Sequence, residues 1–103
     1  MALVRIAAAA DVPPGTLKEI HAADRTFAVC NVAGDIRVFE GICPCAGGPV
    51  GQGKMFDGVM VCPWHGMRYD VETGKCTLGN DLAIERFRSV VEGGEILVEL
   101  SGS

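Results

Sequence analysis

A chain of 103 residues, 49% hydrophobic and with a formal charge of −4, can bury one core but not two independently stable ones, so a single domain over 1–103 is expected. The acidic balance and the lack of a basic run exclude a protein that grips nucleic acid through phosphates. Residues 2–10, the longest early apolar stretch, are broken by Arg5 and too short for a membrane span or a secretory core, so no membrane segment and a cytoplasmic chain with reduced cysteines are expected.

Residues 3–8 read as a first strand, and 17–22 as a second beyond the turn Pro13-Pro14-Gly15. Residues 26–32 and 36–39 flank Ala33-Gly34-Asp35, and 55–57 and 59–62 flank Asp57-Gly58. Residues 67–70 precede Thr73-Gly74, and 85–91 and 95–100 flank Gly93-Gly94. Residues 81–88 are the best helical candidate, yet their apolar positions fit an extended chain equally well, and Asn80-Asp81 suits a turn. Many short strands at regular spacing predict an all-β antiparallel sandwich or barrel, with 43–53 and 63–67 as projecting loops.

Those two loops hold the chemistry. Cys43 and Cys45 form C-x-C; sixteen residues later Cys62 and His65 form C-x-x-H. Pro44, Gly47, Gly48 and Pro49 surround the first pair, and Pro63 and Gly66 bracket the second. Glycine lets backbone amides approach sulfur closely, and proline fixes a loop with little ordering cost. Three thiolates and one imidazole so arranged point to a metal. Structural zinc sites usually separate paired cysteines by two to four residues, whereas iron–sulfur clusters use thiolates, with histidine replacing some of them in one class. The spacing favours iron–sulfur and leaves a zinc or single-metal binding module, with no redox role, as the alternative.

The segments "CPCAGGPV" and "CPWHGMRYDVETGK" resemble the two cluster-binding boxes of Rieske [2Fe–2S] ferredoxins, and "DVPPG" and "NVAGDIRVFEGICP" resemble segments before them. The resemblance implies a β base carrying a small cluster-binding subdomain at about 43–74. In the family the first cysteine of each box holds the inner iron and a histidine of each box the outer one. Carried over, Cys43 and Cys62 hold the inner iron, His65 the outer one, and Cys45 stands where the family has histidine. Three readings stay open: a Cys3His cluster, natural or designed; a substitution that damages the site; or a pocket for one metal ion. The first is preferred because thiolate is the commonest cluster ligand.

The resemblance further implies a one-electron carrier, not an enzyme, running from a flavoprotein reductase to a terminal oxygenase or related oxidoreductase, and working as a monomer. A protein like the small subunit of nitrite reductase is the alternative within the same chemistry. A third thiolate leaves the oxidised cluster at −1 instead of zero, so the expected potential falls toward the all-cysteine range near about −400 mV. High-potential members have an added cysteine in each box and a serine after the second-box His-Gly pair; here Gly48, Trp64 and Met67 stand at those positions. The chain thus resembles the soluble, low-potential branch.

Trp64 is expected to pack beside the cluster and exclude water, His21 to be a surface residue, Cys30 a buried thiol, and Cys76 a strand residue. Lys54, Arg68 and Lys75 alternate with Asp57, Asp70 and Glu72, a mixture that leaves the sign of any docking surface open.

Overall fold

The computed structural model describes residues 2–44, 47–64, 66–79 and 82–100. Among these residues ten strands run in chain order: β1 (Ala2–Ala8), β2 (Leu17–Ala22), β3 (Arg25–Val32), β4 (Asp35–Glu40), β5 (Lys54–Phe56), β6 (Val59–Val61), β7 (Arg68–Asp70), β8 (Arg86–Phe87), β9 (Ser89–Glu92) and β10 (Glu95–Leu100). Among the described residues the helical pieces are single 3-10 turns at Ala9–Asp11 and Val50–Gln52, and no helix is long and apolar enough to cross a membrane. The strands form three antiparallel sheets, β1-β10-β9, β2-β3-β4-β8 and β5-β6-β7. The all-β antiparallel fold expected from the sequence is present.

The central sheet is covered on both faces. Along β3, Phe27 and Val29 join one apolar cluster with Val38, Phe87, Ile96 and Val98, while Ala28 and Cys30 join another with Phe39, Met60, Cys62 and Tyr69. Alternate side chains of a strand point to opposite faces, so β3 reads as an unbroken run, "TFAVCNV", because both of its faces are buried. The base sheet β1-β10-β9 covers one face; the loops and the small sheet β5-β6-β7 cover the other.

Two-residue turns set the hairpin registers. Ala33-Gly34, Asp57-Gly58 and Gly93-Gly94 all have positive φ, as the twist of a tight hairpin requires. Ala23 and Asp24 do the same at φ 53 and 58 without glycine, so this turn gave no signal in the sequence. Arg37 on β4 ties the central sheet to the turn after β7: its guanidinium donates to the Val71 carbonyl at 3.0 Å, to Glu72 at 2.5 Å and to Asp35 at 3.0 Å.

One expected strand is corrected. Residues 85–91 are two strands that meet at Arg88: β8 pairs with β4 through Val38 and Phe87, whereas β9 pairs with β10. The chain passes between sheets there, so one strand cannot serve both. Residues 82–88 contain no helix, and Asn80-Asp81 lies outside the described residues.

Candidate metal centre

The strands that deliver the two loops end earlier than the apolar pattern suggested. β6 stops at Val61 and β7 starts at Arg68, which leaves Cys62 and Met67 at the loop's two ends, joined by the Cys62 amide donating to the Met67 carbonyl at 2.8 Å. The first loop closes similarly: the Cys43 amide donates to the Gly48 carbonyl at 2.8 Å, and the Gly47 amide donates back to the Cys43 carbonyl at 2.8 Å.

Gly48 brings the loops together. A β-carbon there would lie 2.9 Å from Cys62 Sγ and 2.8 Å from Trp64 Cβ, so the first loop passes against the second at a distance no side chain permits. Cys43 and Cys62 thus meet at one place, both nearly fully buried in the same apolar cluster. The expected ligands Cys45 and His65 lie outside the described residues. Trp64 sets its Cβ and Cγ against Gly48 while half of its surface remains in solvent; it covers the loop and also forms part of the outer surface.

Tyr69 is the residue that sequence reasoning missed. It is fully buried on β7, and its hydroxyl lies 3.0 Å from Cys43 Sγ. Burial pushes the phenol well above its ordinary range, and the bond to Cys43 and the neighbouring thiols push it further, so it stays protonated and able to donate to a thiolate. A buried tyrosine needs a partner for its hydroxyl, but the partner is 26 positions away in the chain. Nothing local in the sequence names it.

The remaining residues take bland positions. Cys30 is buried on β3, and burial pushes its thiol up to about 11 against a smaller lowering by Arg37, so it is inert. Cys76 is partly buried and bridges to Tyr69 from the next segment. His21 is largely exposed, with Glu19 at 3.0 Å and Thr26 at 3.1 Å.

Buried sulfurs at the base of two glycine-tightened loops, one with a hydroxyl aimed at it, suit an iron–sulfur cluster that must be shielded and hydrogen-bonded. The family model of the Rieske [2Fe–2S] domain matches residues 2–88. The chain belongs to this family. The ferredoxin component of biphenyl 2,3-dioxygenase from Rhodococcus jostii strain RHA1 is 30% identical over 103 residues, 99% of this chain and 96% of that protein. The ferredoxin of Sphingomonas yanoikuyae B1 has a TM-score of 0.87 at 22% identity, covering 97% of this chain and 100% of that one. A chain from the complex of reduced oxygenase and oxidized ferredoxin in carbazole 1,9a-dioxygenase has a TM-score of 0.82 at 26% identity, covering 93% and 91%. As a Rieske-type ferredoxin, the chain carries a [2Fe–2S] cluster and works as an electron carrier, not as a catalyst.

Proposed function

We propose that this Rieske ferredoxin is a cytoplasmic monomer that takes single electrons from a flavoprotein reductase and delivers them to a terminal oxygenase. Its relative in Rhodococcus jostii is the ferredoxin component of a biphenyl dioxygenase, and the carbazole dioxygenase complex joins an oxygenase with a ferredoxin. The observation that carries the reading is the convergence of Cys43 and Cys62 at Gly48, beneath a half-exposed Trp64. Buried thiolates with an outlet to the surface are what a carrier needs.

The ligands we assign are Cys43 and Cys62, which are buried, and Cys45 and His65, which the resemblance of the two boxes to those of the family implies for the outer iron. Residues 43–74 form the cluster-binding subdomain within one domain spanning 1–103. When bound, the [2Fe–2S] cluster supplies reversible one-electron chemistry. The chain's own residues shape its surroundings: Cys43 and Cys62 bind, Tyr69 donates a proton in a hydrogen bond to Cys43 Sγ, and Trp64 limits water at the loop junction.

The test is the exchange of one side chain. The protein as isolated should hold iron and acid-labile sulfide in equal amounts, and pulsed electron paramagnetic resonance of the reduced form should detect one imidazole nitrogen bound to iron. Cys45→His should show two such nitrogens, raise the potential by on the order of 100 mV or more, and steepen its dependence on pH. A colourless protein with stoichiometric zinc would defeat the carrier reading. A spectrum unchanged in Cys45→His would remove Cys45 from the ligand set.

A further inference from the structure

The outer face of the β5-β6-β7 sheet flanks the loop that carries Cys62. Cross-strand register sets Lys54, Val61 and Arg68 in one row and Phe56, Val59 and Asp70 in the next. The residues between them, Met55, Met60 and Tyr69, pack into the core, so both rows face outward. Lys54 and Arg68 are exposed on either side of Val61, and among the described residues neither forms an ion pair. The Arg68 guanidinium lies 5.7 Å from the centre of the Phe56 ring, which is 46% exposed. The one carboxylate in these rows, Asp70, is held by the Glu72 and Thr73 amides.

Beside this row is a cleft of about 190 Å³ lined by Gln52, Gly53, Lys54, Phe56, Val61 and Pro63. Val61 and Pro63 flank Cys62 in the chain, so a molecule seated in the cleft stands one residue from a buried cysteine of the cluster loops. Two exposed cations with no ion pair among the described residues, an exposed aromatic ring and an apolar cleft are unusual company on a protein of charge −4. They complement a surface of opposite sign. A second copy of the chain suits this less well: of the carboxylates on its far sheet, Glu95 pairs with Arg5 and Glu99 with Arg88, which leaves Glu92 to meet two cations.

We propose that this face docks an acidic redox partner, which sets carboxylates on Lys54 and Arg68 and inserts one apolar side chain into the cleft. The proposal rests on the carrier reading. It adds a flank of the cluster loops, with a defined sign, as the surface that recognises a partner protein.

Two probes test it on the cluster-bearing protein. Oxidation of the dithionite-reduced protein is followed with ferricyanide, an anion, and with hexaamminecobalt(III), a cation. The pair Lys54→Glu and Arg68→Glu should slow ferricyanide by about tenfold at low ionic strength and speed the cation. The pair Arg5→Glu and Arg88→Glu changes net charge equally on the far sheet and should do much less. The second probe is a synthetic peptide with one phenylalanine flanked by glutamates, followed by calorimetry. It should bind in a salt-dependent way, bind more weakly to Phe56→Ala, and fail to bind the Lys54/Arg68 reversal.

Equal effects of the two charge reversals, or no binding of the peptide, overturn the proposal. So does a duplex oligonucleotide that binds at least as tightly as the peptide, or self-association in sedimentation that disappears in the Lys54/Arg68 reversal. A protein that does not bleach with dithionite fails the carrier reading instead, before any variant is compared.

Discussion

Tyr69 places a hydroxyl against a sulfur of the proposed ligand set. A hydrogen bond from its hydroxyl, 3.0 Å from Cys43 Sγ, draws charge from the thiolate and favours the more negative, reduced state. A difference of about 1 kcal/mol in that bond between the two oxidation states corresponds to roughly 40 mV for one electron. Tyr69→Phe should therefore keep the cluster, with its visible absorption little changed, and lower the midpoint potential by some tens of millivolts in a redox titration. An unchanged potential would mean that the bond is not made once the cluster is bound. The sequence reveals ligands more readily than such a donor, because cysteines in glycine and proline loops are conspicuous whereas Tyr69 sits in an ordinary strand. Met67 stands where high-potential members have a serine hydroxyl; Tyr69 supplies a hydroxyl from the strand instead.

The strands that frame the loops depend on very close backbone approach. At Gly53, just before β5, a β-carbon would fall 1.8 Å from the Val61 carbonyl oxygen and 3.2 Å from Pro63 Cδ. Gly58, in the hairpin turn between β5 and β6, has open space around it and only its φ of 78° to protect. Gly53→Ala should thus push β5 off β6 and disturb the loop carrying Cys62, at a cost of about 3 kcal/mol or more. Gly58→Ala should cost about 1–2 kcal/mol and leave the cluster in place. Thermal unfolding together with cluster absorbance separates the two outcomes. This contrast was invisible in the sequence, where both are simply glycines near short strands. The hairpins themselves were legible from alternation and from Asp57-Gly58 or Gly93-Gly94. The switch of sheets at Arg88 was not, because "ERFRSVVE" has no glycine or proline to mark it and both halves remain extended.

The whole molecule is a central sheet with two different cores. On one side Phe27, Val29, Val38, Phe87, Ile96 and Val98 make an apolar cluster with the base sheet. On the other, Ala28, Cys30 and Phe39 support a cluster that includes Cys43, Cys62, Met60 and Tyr69. The first core is made of large aliphatic and aromatic side chains on long paired strands. The second rests on three-residue strands and on two cysteines that we assign as cluster ligands, and with that assignment it draws part of its stability from the bound cluster. Removal of iron with a chelator under reducing conditions should then loosen the two sides unequally. In hydrogen exchange, the amides of Cys43 and Cys62, bonded to Gly48 and Met67 across their loops, should lose protection first, while amides of β3, β4 and β10, bonded strand to strand within their sheets, keep most of theirs. Circular dichroism should retain most of its strand signal. Uniform loss of protection would show instead that the two cores unfold together and that the β base cannot stand without its cluster.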